Sequence, residues 1–88
     1  MKIKRHKKFL KDFRDTKLSD SQFEKFVYYI NCLREDTPLP PESKDHMLSG
    51  DYQDCREFHL GGDMLIIYLV TEEEVTLMRL GTHSQLFK

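Results

Sequence analysis

Three histidines in the second half of the chain, His46, His59 and His83, are the residues whose chemistry is most useful near neutral pH. A histidine side chain has an ordinary pKa of about 6.5, so it can both take up and release a proton there. Strand alternation places Glu57 on the same face as His59, and Asp63 follows in the next turn. The permanent positive charge of Arg79, four residues before His83, belongs to the same part of the chain.

Imidazoles, a carboxylate and a guanidinium are together the groups needed for RNA cleavage without a metal. A base removes the proton of a 2′-hydroxyl, and the freed oxygen attacks the adjacent phosphorus. A cation stabilises the phosphoryl oxygens, and an acid protonates the departing 5′-oxygen. The same side chains could bind a metal, but the histidines lack the H-x-x-x-H or H-x-H spacing of local metal pairs. The remaining alternative is that each histidine is an ordinary surface or capping residue. No cofactor is expected.

The length and composition indicate one small domain, residues 1–88. Of the 88 residues, 39% are hydrophobic and 33% charged, which is enough for one modest core. No apolar signal-peptide core follows the basic start, and the longest apolar run, Met64 to Val70, has seven residues against the ~20 of a membrane helix. Cys32 and Cys55 lack disulfide or metal-site spacing. We expect a cytoplasmic protein with reduced thiols and no membrane partner.

The net charge of −1 conceals an uneven distribution of charged residues. Residues 1–18 carry eight bases and two acids, and residues 19–88 carry six bases and thirteen acids. A basic segment of this kind is typical of a surface that binds a polyanion, although a solvated helix face has the same pattern. Helical spacing predicts one basic stripe, made of Lys4, Lys7, Lys8, Lys11 and Arg14.

The N-terminal half is predicted to form a strand near Ile3 and then a helical hairpin. Phe9, Leu10 and Phe13 give the first helix an apolar side that faces the core. The second helix begins at Asp20, since the preceding serine and the glutamine three residues later have the spacing of a capping box. It ends before the prolines at 38, 40 and 41. Its apolar stripe consists of Phe23, Phe26, Val27, Ile30 and Leu33.

The C-terminal half has the period of strands. Residues 55–60, 64–70 and 75–80 are predicted strands, joined by turns at 61–63 and 71–74 and followed by a tail over 81–87. The order β-α-α-β-β-β predicts an α+β fold. In it, the N-terminal strand and helical hairpin pack on one face of an antiparallel sheet, and the C-terminal tail is short.

Three segments of this half resemble the YafQ branch of the RelE/ParE toxin superfamily. They are residues 45–50 (DHMLSG), 55–68 (CREFHLGGDMLIIY) and 79–87 (RLGTHSQLF). The corresponding family patterns are D-H-x-L-x-G, R-[DE]-x-H-[LV]-x-x-D-x-[LI]-[LI]-I-Y and R-x-G-[TS]-H-x-x-L-F. Because the three motifs occur in order after a helical hairpin of suitable length, the resemblance covers nearly the whole chain and implies a RelE-like fold.

The resemblance also implies a function: a bacterial type II toxin that cleaves mRNA in the ribosomal A site and is held inactive by a cognate antitoxin. Operator DNA would be contacted only through the antitoxin complex. The basic stripe would contact ribosomal RNA or, alternatively, an acidic antitoxin segment. A ParE-like toxin acting on DNA gyrase is a second hypothesis, although it gives the histidines no evident use. A third is a non-toxic co-repressor that acts with its antitoxin.

Carried over position by position, the resemblance implies active-site roles for five residues: His46, His59, Asp63, His83 and Phe87. We expect His46 to be the general base and His83 the general acid, or the reverse, while His59 and Asp63 orient or polarise them. Arg79 would lie near the phosphate. Glu57 occupies the position of the family's strand acid, which is often Asp. Phe87 either stacks on an RNA base or plugs the core.

Overall fold

The structure is a computed structural model that describes residues 1–87, and in these residues five strands form one sheet with three α-helices. The order of strands in the sheet is β1-β5-β4-β3-β2. The elements are β1 (Lys2–Arg5), α1 (Lys7–Asp15), α2 (Asp20–Arg34), β2 (His46–Met47), β3 (Arg56–Gly61), β4 (Met64–Val70), β5 (Glu74–Thr82) and α3 (His83–Leu86). The predicted α+β class is confirmed. Neighbouring strands are antiparallel except at one edge, where β1 runs parallel to β5.

The helical hairpin forms where the sequence predicts it. The side chain of Ser19 accepts a hydrogen bond from the backbone of Gln22, whose side chain accepts one from the backbone of Ser19. This reciprocal capping box satisfies two N–H groups that the first turn of a helix leaves without partners. The second helix therefore begins at Asp20, as predicted.

The buried side of α2 differs from the predicted stripe. Phe23 and Val27 are 48% and 52% exposed, whereas Tyr29 and Cys32 are buried. The apolar arc of α2 is wider than the side that the sheet covers, so its outer members remain in solvent. The first helix likewise buries Phe9 but leaves its neighbours Leu10 and Phe13 at least 40% exposed.

Alternation along β3 divides the protein into a packed helix side and a second side that bears the polar motif residues. Phe58 and Leu60 lie in the core with Phe9 of α1 and Tyr29 of α2. The opposite face of the sheet packs against the loop after β2 and against α3, in a smaller cluster of Cys55, Leu65, Ile67 and Leu86. Because Glu57 and His59 alternate with the core residues, this second face is where catalytic side chains are to be expected.

Four local predictions need correction. The segment before residue 50 contains the short strand β2, and the third C-terminal strand is longer than predicted, since β5 spans Glu74–Thr82. Within the predicted tail, residues 83–86 form α3, which begins with a second capping box made by Thr82 and Gln85. Lys4 is not part of the helical stripe, because residues 2–5 are extended and paired with β5. No helix among residues 1–87 is long and apolar enough to cross a membrane.

Candidate active site

The Asp45-His46 pair is anchored at the outer edge of the sheet. The carboxylate of Asp45 accepts two hydrogen bonds from the guanidinium of Arg56, both 3.2 Å long, and one from the hydroxyl of buried Tyr68. Hydrogen bonding to Asp45 raises the pKa of Arg56, so the guanidinium stays charged. The next residue, His46, is in register with Glu57 on the neighbouring strand and lies on the other side of the sheet.

Glu57 lies between two of the predicted histidines. Its Oε1 atom is 3.0 Å from Nε2 of His46, and its Oε2 atom is 3.4 Å from Nε2 of His59. The Glu57 side chain is only 5% exposed, while the rings of His46 and His59 are 53% and 28% exposed. Among residues 1–87, Oε2 of Glu57 has no aligned hydrogen bond. A buried carboxylate thus supports two imidazoles that solvent and substrate can reach.

Both ring nitrogens of His46 face acceptor oxygens. Nδ1 lies 2.7 Å from the carbonyl oxygen of Lys44, while Nε2 faces Glu57. A carbonyl oxygen only accepts hydrogen bonds, so Nδ1 carries a hydrogen in this arrangement. When Nε2 is protonated as well, both contacts are hydrogen bonds. A doubly protonated His46 ring therefore has both N–H groups bound to protein oxygens, and its Nε2 hydrogen reaches a substrate only when the contact with Glu57 opens.

His83 begins α3 and adjoins the β3–β4 turn. Its backbone N–H donates to the carbonyl oxygen of Asp63, at 3.2 Å. Its exposed ring lies against the ring of Phe87, with centroids 4.8 Å apart and an interplanar angle of 35°. No side chain in residues 1–87 forms a hydrogen bond with the ring. The side chain of Asp63 is exposed, and the hydrogen bond joins only its backbone to that of His83.

Strand register shows how far apart the two histidine groups lie. His59 pairs with Leu65 of β4, and Leu65 pairs with Gly81 of β5, two residues before His83. Two strand spacings of about 4.8 Å put the backbones of His59 and Gly81 roughly 10 Å apart. Leu86 of α3 packs with Leu65 and Ile67, the β4 residues that pair with His59 and Glu57, so α3 and the Glu57 cluster lie on the same face of the sheet.

Arg79 reaches this face because β5 contains a bulge. Ile67 pairs with Arg79 but Tyr68 pairs with Leu77, so Met78 is the extra residue. Without this extra residue, the Arg79 side chain would point to the same face of the sheet as Leu77, which is the face that α1 and α2 cover. The guanidinium of Arg79 is bound to Asp12 of α1, with a 2.7 Å contact from Nε to Oδ2, and this hydrogen bonding raises its pKa. Arg79 is thus a permanently charged group held in an ion pair.

Most of the predicted basic stripe is present on α1. Lys7, Lys8 and Lys11 are exposed, and Lys11 makes a 3.8 Å contact with Asp15. Lys7 and Lys8 form no ion pair with any residue in 1–87. Lys4 on β1 is bound to Glu74, with its Nζ 2.9 Å from Oε2. Outside the helix, the exposed Lys2, Arg5 and Lys17 also form no ion pair with any residue in 1–87.

Several residues that shape the site were missed by the sequence reasoning. Asp45, Arg56 and Tyr68 fall within the quoted motifs, and the polarity of Arg56 and Tyr68 in strands β3 and β4 is a signal of a buried network. Tyr52 and the carbonyl of Lys44 gave no such signal, since loop polarity is ordinary. Within residues 1–87, no group of three His, Cys, Asp or Glu side chains is placed to hold a metal ion.

Comparison with known proteins finds a family whose model matches the whole chain. A family model described as the bacterial toxin of a type II toxin–antitoxin system, YafQ, matches residues 1–88. The mRNA interferase toxin YafQ of Escherichia coli K12 is 35% identical over 78 residues, which cover 84% of this chain and 85% of that protein.

Two solved structures with similar folds extend the comparison. A copper-bound mutant toxin from Helicobacter pylori has a TM-score of 0.84 and 38% identity, with 98% of each chain covered. YafQ in the E. coli DinJ–YafQ complex has a TM-score of 0.82 and 30% identity, covering 98% of this chain and 97% of that one. The similarity therefore extends over the whole fold.

Proposed function

Since this chain belongs to the YafQ family of bacterial type II toxin–antitoxin toxins, we propose that it is an endoribonuclease that cleaves mRNA and so inhibits translation in the bacterial cytoplasm. One observation carries the proposal: the pair of imidazoles bridged by buried Glu57 shares a sheet face with exposed His83. Two proton-transfer groups on either side of one strand are what cleavage through the 2′-hydroxyl needs.

The contacts of His46 favour it as the general acid, the reverse of the first expectation from sequence. Its Nδ1 hydrogen is bound to the Lys44 carbonyl, and Glu57 stabilises the protonated ring. His83 then acts as the general base. It takes the proton of the 2′-hydroxyl, the oxygen forms a bond to phosphorus, and the bond from phosphorus to the 5′-oxygen breaks. His46 gives its proton to that 5′-oxygen, so the products are a 2′,3′-cyclic phosphate and a 5′-hydroxyl.

The other predicted site residues have supporting roles in this scheme. His59 shares Glu57 with His46 and stabilises charge on the phosphoryl oxygens when protonated. Arg79 supplies a fixed cation on the same face, using the N–H groups that Asp12 leaves available. Asp63 orients the turn next to His83. The exposed part of Phe87 stacks on an RNA base, while its other contacts attach it to the smaller core.

The reaction is proposed to use side chains alone. The Helicobacter pylori relative binds copper in its solved structure, but His46 and His59 direct their Nε2 atoms at the two oxygens of Glu57. This arrangement does not present an open set of donors to a metal ion. We expect cleavage to continue in the presence of a chelator.

We propose that the basic face of α1, formed by Lys7, Lys8 and Lys11, binds ribosomal RNA phosphates and makes cleavage dependent on the ribosome. These ammonium groups are exposed, and those of Lys7 and Lys8 have no ion pair within residues 1–87, so an RNA backbone can displace their counterions. The site itself lies on the other side of the sheet from α1 and α2, so the two contacts can be made by different parts of one substrate complex.

A cognate antitoxin is the proposed protein partner, and the structure offers an apolar groove for it. Ile3, Leu10, Phe13 and Phe26 line a cavity of about 240 Å³ between α1, α2 and β1, with Arg5 at its edge. An antitoxin segment with apolar and acidic side chains fits both the groove and the positive charge of the N-terminal segment. Operator DNA would be reached only through that complex.

The function is tested by mapping the 5′ ends of cellular mRNA after brief induction without antitoxin. The wild type should create new ends within coding sequences, and His83→Ala should create none. His6→Asn is a matched control, since it replaces a histidine outside the site with another residue able to cap α1. The same assay on purified mRNA, with and without ribosomes, tests ribosome dependence.

Two outcomes would replace the proposal. Intact mRNA together with stalled DNA gyrase would favour the ParE-like hypothesis. Normal growth, intact mRNA and retained operator repression would favour a co-repressor.

A further inference from the structure

Asp12 of α1 attaches the basic helix to the catalytic side of the sheet. Its side chain is only 16% exposed and accepts three hydrogen bonds. Two come from Arg79, at 2.7 Å from Nε and 3.3 Å from Nη2, and one comes from the backbone N–H of Leu80 at 3.0 Å. The edge strand β1 pairs only with residues 74–77 of β5. Beyond residue 77, this edge of β5 has no partner strand among residues 1–87. The Asp12 carboxylate accepts the hydrogen bond from Leu80 that such a strand would otherwise accept.

Tyr52 extends this attachment into the loop between β2 and β3. The remaining guanidinium nitrogen of Arg79, Nη1, donates a hydrogen bond to the Tyr52 hydroxyl at 3.3 Å. One guanidinium thus joins a helix, a strand and a loop that are far apart in sequence. Because its planar donors point in fixed directions, these contacts set where the Tyr52 ring lies.

The Tyr52 ring is the link to His83. It meets the ring of Phe87 edge to face, with centroids 5.6 Å apart and an interplanar angle of 77°. Phe87 in turn packs against the His83 imidazole at 4.8 Å. Edge-to-face aromatic pairs have a preferred geometry, so a fixed Tyr52 restricts Phe87 and through it the imidazole.

We propose that Asp12 and Tyr52 are positioning residues for His83, acting through Arg79 and Phe87. The two residues touch no reacting atom. They hold the exposed imidazole, which lacks a hydrogen-bonding side chain of its own in residues 1–87, in the orientation that proton transfer needs. A partner that moves α1 would then also alter His83, so the basic helix and the catalytic group are coupled. The effect on catalysis rests on the proposed nuclease function, whereas the effect on the His83 ring does not.

Two pairs of variants test the contacts of Tyr52 and the contacts of Asp12 separately. Tyr52→Phe removes the hydrogen bond to Arg79 and keeps the ring, while Tyr52→Leu removes both. Asp12→Asn keeps an acceptor for Leu80 and loses the charge, while Asp12→Ala loses every contact. Tyr28→Phe and Glu24→Gln serve as matched controls, because both positions are exposed on α2, outside the network.

The first readout is the NMR signal of the His83 imidazole, with its titration, together with the Phe87 ring signals in the folded protein. We expect Tyr52→Leu and Asp12→Ala to shift all of these, Tyr52→Phe and Asp12→Asn to shift them less, and both controls to leave them unchanged. The second readout is cleavage kinetics. Here kcat should fall on the order of tenfold in Tyr52→Leu with KM within about twofold of wild type, the loss expected when a reacting group is misplaced.

The proposal is overturned if folded Tyr52→Leu and Asp12→Asn both keep the wild-type His83 titration and the wild-type kcat. A change in unfolding free energy with no change in either readout would show a structural role only, and would also overturn it. If the wild type cleaves no RNA, the proposed function fails, while the NMR arm still decides whether the network positions His83.

Discussion

Oε1 of Glu57 lies 3.0 Å from Nε2 of His46, and Glu57 is almost fully buried while His46 is half exposed. The carboxylate is therefore enclosed by the protein, while the imidazole is accessible to solvent. In the proposed mechanism Glu57 accepts a hydrogen bond from the protonated ring of His46, so a change at Glu57 tests the proposed direction of proton transfer.

Glu57→Gln should lower the rate of RNA cleavage on the order of 100-fold, the usual size of one general acid–base contribution. The amide keeps the shape of the side chain but no longer stabilises a protonated His46. Single-turnover cleavage of a model mRNA measures the effect. Glu72→Gln, at an exposed position in the β4–β5 turn, is the control and should cleave like the wild type. Equal rates in the two variants would remove Glu57 from the mechanism.

Replacing Lys7 and Lys8 together by alanine should weaken binding to ribosomes or RNA and reduce its salt dependence. The slope of log K against log salt should decrease by about 1.4 for two lost contacts to single-stranded phosphates. Filter binding across a salt series measures it. Lys4→Ala should change the slope less, because Lys4 already pairs with Glu74 at 2.9 Å. An unchanged slope in the double variant would show that this helix does not meet RNA.

Leu10→Ser should weaken antitoxin binding without affecting cleavage. Leu10 lines the apolar groove and is 44% exposed, so its loss leaves the core intact. Val70→Ser is a closely matched control, since Val70 is also an aliphatic residue with 44% exposure but lies at the end of β4, away from the groove. Calorimetric titration of the purified antitoxin into each variant measures the affinity. Equal losses in both variants would contradict docking at the groove.

The buried hydroxyl of Tyr68 should make the fold sensitive to alkaline pH. Burial and its bond to Asp45 raise the pKa of Tyr68, and burial raises that of Tyr29. Above pH of about 10 an unfolded tyrosine loses its proton while these folded ones keep theirs, so the free energy of unfolding must fall as pH rises. Below that pH the tyrosines are protonated in both the folded and the unfolded protein, so their full contribution to the free energy of unfolding is present.

Urea unfolding at pH 9 and pH 11 tests this expectation. Tyr68→Phe should be less stable than the wild type at pH 9 by about 1 kcal/mol, because Asp45 loses a donor. Its stability should then fall less between the two pH values. If the free energy of unfolding of Tyr68→Phe falls as much between these pH values as that of the wild type, ionisation of Tyr68 does not cause the pH dependence.

Local patterns in the sequence predicted the parts of the fold that depend on neighbours in the chain. The capping box fixed the start of α2 at Asp20, and alternation along β3 placed Glu57 and His59 on one face. The strand β2 was missed because two residues show no period. The exposure of Phe23 was missed because the pattern shows an apolar side without showing how much of it the sheet covers.

The position of Arg79 shows why the rest of the site could not be predicted. Simple alternation along β5 would put Arg79 on the helix side with Leu77, and only the bulge at Met78 turns it to the catalytic face. Its partner Asp12 is 67 residues away in the chain. The family resemblance implied a set of site residues, but it indicated neither this pairing nor the carbonyl that contacts His46.

The most direct test of the central claim is the chemistry of the RNA ends that the purified protein leaves on a ribosome-bound mRNA. Proton transfer by His83 and His46 predicts a 2′,3′-cyclic phosphate on one fragment and a 5′-hydroxyl on the other, formed in the presence of EDTA-treated enzyme and absent with His83→Ala. A 5′-phosphate product, or cleavage by His83→Ala at the wild-type rate, would contradict the account.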